Sequence, residues 1–591
     1  MLKRFILIVC GSFVGAFLAL VVFFISAIML SMALMKMGSS QKVADNSVLH
    51  LCLEGAMDER QGNEEVNVMG LVTGNNFEYM YLDETIKAIK AAKEDDRIQG
   101  IYIECKDIDA SAATLRQVRQ AIIDFKKSGK FVYAYANEGY SQGDYYVATV
   151  ADSILLNPIG ALDVHGLAAV TPYYKKLLDK VGVEMQVVRV GTYKSAVEPY
   201  MIDSISPANR EQQELYLNNI WGTMASEMAA ARGISVDAFN SLADSITIAM
   251  ETSKLVKSHL IDRTCYKHEM ESRLKQLCGL DPDDDLRLVS IPVMASYYKP
   301  AKSKDGSIAV VYASGEIDGG GGGGIDSEEL VATLEDIMKD DDIKGVVLRV
   351  NSPGGSAFGS EQIWEALERV KKTGRPLAVS MGDLAASGGY YISCGADHIF
   401  ADSVTITGSI GVFGVIPTGQ ELYQNKLGIN VSVVKTNANS EMSAMGIYNK
   451  KFTPVQLAAL QNYVNQTYDL FTKRCADGRH MPQDSIKKIA EGRVWDAKSA
   501  KKLKLIDDFG SLDDAIKWVA AKAKLQEGRY GVIEAPEVTM NWKSMLSSFV
   551  STKYRQQMAQ EMGDFYKYFE QLKSILNRHH VLCLMEYTEI R

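Results

Sequence analysis

Two residues in this chain have the types and surroundings for nucleophilic chemistry, and they lie far apart. Ser409 sits in "TITGSIGVFG" (Thr405–Gly414), a small hydroxyl between Gly408 and Gly411 with apolar residues after it. Lys194 sits in "VEMQVVRVGTYKSAVEP" (Val183–Pro199), just past an apolar stretch and with few charges beside it. A serine hydroxyl is a weak nucleophile until a base takes its proton. No histidine offers a triad pattern: His398 precedes Ser409 by eleven residues, and nothing places it as the base. A lysine amine can serve instead if burial lowers its pKa. At an ordinary pKa of about 10.4, roughly one lysine in 2,500 is neutral at pH 7, and bringing that pKa near 7 corresponds to about 4–5 kcal/mol. The competing reading of Lys194 is a surface lysine with its stem along apolar neighbours.

An oxyanion would need backbone N–H donors nearby. Glycines between an apolar strand and a helix expose such amides, and "NSPGGSAFGSEQIWEAL" (Asn351–Leu367) is of that kind. Gly354 and Gly355 are the candidates, with the Ile410 amide from the Ser409 loop; a sharp strand-to-helix turn would also require glycine. Ser387 in "AASGGYY" is a rival hydroxyl, read as a helix N-cap or packing serine. The six glycines Gly319–Gly324 have no following Gly-Lys-Ser/Thr and read as a loop rather than a phosphate cradle.

An internal repeat positions these residues. "DDRIQGIYI" (Asp95–Ile103) answers "DDDIKGVVL" (Asp340–Leu348), "GDYYVATVADSILL" (Gly143–Leu156) answers "GGYYISCGADHIFA" (Gly388–Ala401), and "SHLID" (Ser258–Asp262) answers "LKLID" (Leu503–Asp507). Equivalent positions differ by 245 each time (345 − 100, 390 − 145, 506 − 261). Each copy alternates apolar runs with helical patterns, for example "SIAVVYASG", then "SEELVATLEDIMKD" with Leu330, Leu334 and Ile337 on one face, then "IKGVVLRVN". That alternation predicts an α/β fold with largely parallel sheets covered on both faces. The expected organisation is an anchor over 1–38, a first repeat over 39–290, a linker over 291–306, a second repeat over 307–527 and a tail over 528–591. The tail's apolar spacing (Met558, Met562, Phe565, Phe569, Leu572, Leu576) predicts an amphipathic helix.

The copies differ where chemistry is expected. At the common offset Ser409 faces Val164 (409 − 245), so the first copy lacks that serine; with one residue inserted, Lys194 faces Ser440. The first copy offers an amine without a nucleophile and the second a nucleophile without an amine.

The termini and composition bound the setting. Lys3 and Arg4 precede an uncharged, largely apolar run from Phe5 to about Met35. That exceeds the roughly 20 residues needed to cross a bilayer, and the positive-inside rule puts everything after Lys36 on the far side. The net charge of −9 and the absence of a basic stripe argue against nucleic-acid binding. Eight cysteines include Cys10 in the anchor; Cys52, Cys105 and Cys394 read as buried thiols, and Cys265 with Cys278 is a candidate pair. No cysteine–histidine spacing suits a metal, and the acidic "DPDDD" run from Asp281 lacks calcium-loop spacing.

The strings "NSPGGS", "AASGGYYIS", "TGSIGVFG" and "GTYKSAVEP" on a duplicated scaffold resemble the signal peptide peptidase A (protease IV) family, over essentially the whole chain. The resemblance implies tandem domains of the Clp-protease/crotonase class and a Ser–Lys serine protease with Ser409 as nucleophile and Lys194 as base, needing no cofactor. It also implies an anchor in the bacterial inner membrane with the catalytic domains on the periplasmic side, assembly as a homotetramer, and apolar signal-peptide remnants as substrates. In that family another hydroxyl steadies the lysine, for which Ser432 is the counterpart here. Two other readings compete: a catalytically inactive membrane scaffold, which intact Ser409 and Lys194 oppose, and an acyl-CoA enzyme, which the anchor opposes.

Overall fold

Runs such as "IKGVVLRVNS" carry apolar residues at nearly every position, which suits strands with both faces covered rather than one face wet. In the computed structural model Ile343–Ser352 is such a strand, buried along almost its full length. The structure describes residues 42–60, 80–299, 303–319, 324–443, 450–536, 581–585 and 589–590, together with Gly15. The expected anchor (Gly15 apart) and the expected amphipathic helix over 542–576 lie outside the described residues. Among the described residues no helix is long and apolar enough to cross a membrane.

Each repeat is built on one largely parallel sheet; in the second, Ile406–Gly408 pairs antiparallel with Val494–Asp496 at one edge. The first runs Arg263–Thr264, Ser153–Leu156, Phe131–Ala136, Ile98–Asp109, Ser47–Asp58, Leu288–Ser290, with every neighbouring pair parallel. The second runs Asp508–Phe509, His398–Ala401, Leu377–Ala386, Ile343–Ser352, Ser307–Ser314, Gly531–Ala535 in the same order, again parallel. Individual hydrogen bonds repeat at the sequence offset of 245. Tyr145 donates to the Leu260 carbonyl (2.7 Å) as Tyr390 does to Leu505 (2.9 Å). Asp262 accepts from the Ile154 amide (2.7 Å) as Asp507 does from Ile399 (2.8 Å). The first strands break the offset: Val48 pairs with Gly100 and Ile308 with Gly345, so they stand 260 apart (308 − 48), and the second copy is 15 residues shorter just after its first strand. Helix Ser327–Lys339, capped by Asp326, buries Leu330, Leu334 and Ile337, the face its sequence predicts.

Three sequence expectations need correcting. The second sheet extends past residue 527, because Gly531–Ala535 pairs with Ser307–Ser314 as Leu288–Ser290 pairs with Ser47–Asp58. The 291–306 linker begins with a helix, Ile291–Ala295, whose Val293 and Met294 join the first core. Beyond the stretch for which spacing predicts a helix, Leu582–Leu584 and Glu589–Ile590 are strands. Cys265 and Cys278 are both buried free thiols rather than a disulfide; Cys105 and Cys394 are buried as expected, whereas Cys52, on the outer side of its strand, is only partly buried.

Two of the contacts between the repeats bear on the site. Glu59 of the first takes a bidentate bond from Arg349 of the second (Nη2–Oε1 2.7 Å, Nε–Oε2 3.0 Å), and both side chains are buried. Ser380, the Met381 carbonyl and Gln117 accept the guanidinium's other bonds, so the charge is fully satisfied. Strand Glu184–Val190 of the first repeat also pairs antiparallel with Val412–Thr418 of the second, Val190 opposite Val412. This pairing brings the segment after residue 190 beside the segment before residue 412. Arg349→Ala, which leaves Glu59 buried and unpaired, is expected to cost about 3–5 kcal/mol, against less than about 0.5 kcal/mol for exposed Lys339→Ala; urea denaturation of the two variants checks this.

Candidate active site

The crossing of Glu184–Val190 with Val412–Thr418 determines where Lys194 goes. Four residues past Val190 the chain turns, and Lys194 enters the second repeat with 1 % of its surface exposed. Its Nζ lies 2.8 Å from Ser387 Oγ, 3.0 Å from Ser409 Oγ and 3.2 Å from the Ser409 carbonyl oxygen. One chain therefore supplies the lysine and both serines. The Phe413 ring lies 5.9 Å from Nζ. Burial without a paired carboxylate pulls the amine down to about 7. Room for the side chain comes from the facing loop. Gly492 has φ +75°, and a Cβ there would fall 2.6 Å from Lys194 Cβ. The Tyr193 amide donates to the Glu491 carbonyl (2.9 Å), pinning the turn to that loop.

The two serines are held differently. Ser409 uses its own amide to bond the Arg493 carbonyl (2.7 Å) and offers Lys194 both its hydroxyl and its carbonyl. Ser387 stands at the junction between strand Leu377–Ala386 and helix Gly388–Ser393, with φ +56° and ψ −112°. That conformation is strained for a residue with a side chain. Its hydroxyl makes no capping bond and faces Lys194 instead. The equivalent helix of the first copy is capped reciprocally by Ser141 and Asp144. At the offset of 245 those positions are Ala386 and Gly389, and Ser387 replaces Gln142. The second copy has lost its capping box, so no side chain of the box occupies this helix N-terminus.

A peptide segment already lies beside the serines. Leu582–Leu584 pairs antiparallel with Gly354–Ser356, Gly355 opposite Cys583, and Leu582 also pairs with Phe413. The Ala357 amide donates to Val581 (3.3 Å) and the Met585 amide to Pro353 (2.9 Å). Hydrogen-bonded pairs recur at every second residue of such a ladder, which directs the Gly355 amide to the Cys583 carbonyl. Gly354 has φ +103°, and a Cβ there would meet that carbonyl oxygen at 2.0 Å and the Gly388 nitrogen at 2.6 Å. The Cys583 carbonyl thus sits in a niche between the Gly354–Gly355 turn and the first residue of the helix that follows Ser387.

Of the residues singled out from sequence, the structure brings together Lys194, Ser409, Gly354 and Gly355. Ser387, read as a cap, joins them; the missing capping box relative to the first copy was the signal available for it. Ser432 is not at the site but exposed on a segment without strand pairing. Ile410, buried next to Ser409, accepts at its carbonyl from the Gly492 amide (2.8 Å). His398 bonds Asp508 (3.1 Å) and stacks on Trp518. Among the described residues, His50, Cys52 and Glu104 form the one cluster with metal-ligating types, away from these serines on the first sheet. Its Glu104 is already bonded to His50 (2.9 Å) and Lys267 (2.8 Å), which hold the carboxylate down to about 2.

Comparison with known proteins follows the same duplication. Residues 124–281 and 369–526 each match Peptidase family S49, at the offset of 245 (369 − 124, 526 − 281), and together they make up more than half the chain. Protease 4 of Salmonella typhi is 35% identical over 83% of this chain and 80% of its own length. Protease 4 of Haemophilus influenzae is 34% identical over 73% and 71%, and the chloroplastic serine protease SPPA of Arabidopsis thaliana is 29% identical over 82% and 70%.

Gly492→Ala tests the lysine's seat. The added methyl must displace Lys194, so kcat/KM on an apolar fluorogenic peptide is expected to fall about 100-fold or more with circular dichroism unchanged; unaltered activity would mean that the lysine's position does not matter.

Proposed function

Because the chain belongs to peptidase family S49 and is a serine peptidase, we propose that Ser387 is its nucleophile, Lys194 the general base and Ser409 the residue that orients the lysine. The observation that carries this reading is the set of three contacts at Nζ. A neutral amine has two N–H donors and one lone pair. Ser409 presents two acceptors, its hydroxyl and its carbonyl oxygen, which take both N–H groups. The lone pair is then left for the hydroxyl of Ser387. This reverses the assignment expected from sequence, in which Ser409 attacks.

The rest of the site fits that choice. Ser387 heads a helix whose own cap is missing, so the dipole and first-turn amide face the reaction centre. The Gly355 and Gly388 amides flank the niche where a peptide carbonyl oxygen lies. In the forward reaction Ser387 Oγ bonds to the scissile carbonyl carbon while Lys194 takes its proton. Lys194 returns that proton to the leaving amine as the C–N bond breaks. Water, deprotonated by Lys194 in turn, then hydrolyses the ester.

Substrates are extended apolar peptides, signal-peptide remnants among them. The groove pairs a peptide by its backbone and lines it with Leu178, Val183, Met185 and Phe413. The apolar run from Phe5 to Met35 supports an anchor in the bacterial inner membrane, with the catalytic repeats on the periplasmic side. Homotetramer assembly draws support from the exposed row Leu427, Ile429, Val431, Val433 and Val434. The equivalent stretch of the first copy is the strand Glu184–Val190, which has a partner in the second repeat.

Ser387→Ala and Lys194→Ala are both expected to reduce hydrolysis of an apolar fluorogenic peptide to background. Ser409→Ala is expected to retain a remnant, about 10²–10³-fold down. Full loss in Ser409→Ala with activity kept in Ser387→Ala would restore the sequence assignment. The lysine also sets a pH dependence. Below about 7 the amine is protonated and cannot act as base, so kcat/KM should rise with pH through about 7 and then level. Stability follows the opposite logic. The unfolded lysine takes a proton below its ordinary pKa of 10.5, which the folded one refuses until about 7. Burial therefore costs increasing stability as pH falls from 10.5 to 7, and a constant amount below. Lys194→Met is expected to raise Tm at pH 7 by about 2–6 °C while abolishing activity.

A further inference from the structure

We propose that His50, Cys52 and Glu104 of the first repeat form a zinc site, with water as the fourth ligand. The site is separate from Lys194 and its serines, and it stands whether or not the Ser387–Lys194 reading holds.

Strand pairing brings the three residues together. His50 and Cys52 are two apart in strand Ser47–Asp58, so both side chains leave the same face of the first sheet. Cys52 stands opposite Glu104 of the neighbouring strand Ile98–Asp109, and His50 stands opposite Tyr102. The result is one imidazole nitrogen, one sulfur and one carboxylate oxygen, each within 4.8 Å of the other two. His50 Nε2 and Glu104 Oε2 are already 2.9 Å apart. Tetrahedral zinc, with bonds of about 2.0–2.3 Å, holds such atoms about 3.3–3.6 Å from one another. Small side-chain rotations cover the difference. The set escapes a reading of sequence spacing because its third member comes from the next strand.

The surroundings suit a ligand set. The Tyr102 ring stacks on the imidazole (centroids 5.2 Å apart, planes within 6°) and fixes its plane. The Glu104 side chain is 7 % exposed, and its Oε1 accepts from Lys267 Nζ (2.8 Å), which leaves Oε2 directed at His50. Ligating carboxylates commonly carry an outer bond of this kind, and it holds their orientation. The His50 side chain keeps 22 % of its surface exposed, which gives an ion a way in from solvent. The fold itself does not ask for these residue types. The same register positions of the second sheet hold Val310, Tyr312 and Arg349.

Imidazole, thiolate and one carboxylate make a donor set that favours zinc over magnesium or calcium. On binding, the Cys52 thiol proton passes to solvent. Neutral His50 binds through the Nε2 lone pair and keeps its proton on Nδ1. Thiolate and carboxylate then balance the two charges of the ion, which ties strand Ser47–Asp58 to strand Ile98–Asp109.

The test titrates zinc sulfate into the full chain, purified without a tag in detergent and stripped with a chelator, by calorimetry. One zinc per chain is expected. His50→Gln and Cys52→Ser are each expected to weaken binding at least about 100-fold, more than the loss of an outer bond costs. A second measurement needs no variant. In the wild type, zinc is expected to slow alkylation of Cys52 by iodoacetamide at least about tenfold, read by peptide mapping. The other described cysteines are buried, so Cys52 is the accessible thiol among the described residues. A wild type that takes up no zinc, variants that bind it as tightly as the wild type, or alkylation of Cys52 unchanged by zinc would each overturn the proposal.

Discussion

Everything at the site depends on one amine being kept out of water. Lys194 enters the second repeat with no carboxylate to neutralise it, and burial alone brings it near 7. A charged ammonium in such a place costs several kcal/mol, which the molecule avoids by letting the proton go. The enclosure is made by the other repeat: two serines, the Phe413 ring, and a loop in which Gly492 leaves space for the lysine stem. Loosening the contact between repeats would hydrate the amine and, in the proposed mechanism, remove the base. In the proposed mechanism the buried Arg349–Glu59 pair and the cross-repeat strands therefore support the base from a distance.

Duplication divides the work. Here the first copy keeps the features of a structural domain: Ser141 and Asp144 cap the helix that Ser387 heads in the second copy, Gln142 ties down the Gly166 loop, and Val164 occupies the place of Ser409. The second copy gives up that cap and accepts a strained Ser387. What it gains is a helix N-terminus open to a developing negative charge. In the proposed mechanism the strain at Ser387 serves the chemistry.

Much of this was legible in the sequence because it is periodic. The 245-residue offset fixed the pairing of strands between copies, and the apolar face of Ser327–Lys339 follows from spacing alone. Lys194 was identifiable because its neighbours are uncharged, and Gly354 because a strand-to-helix turn demands it. Ser387 was misread because small-Ser-Gly-Gly before a helix fits a cap equally well; whether the hydroxyl turns to its own helix or to a lysine 193 positions away is decided by tertiary contacts. Ser432 failed for a related reason. The segment that carries it has no strand partner among the described residues, unlike the corresponding strand of the first copy. The C-terminal strand could not be foreseen, since "VLCLM" has no partner within reach in sequence and pairs with Gly354–Ser356, more than two hundred residues away.

The most direct test of the account is to label the protein with a serine-reactive phosphonate at a series of pH values and locate the adduct by peptide mapping. A single adduct is expected on Ser387, forming at a rate that rises through about pH 7 and absent in Lys194→Ala. An adduct on Ser409, or a rate on Ser387 that neither depends on pH nor needs Lys194, would contradict it.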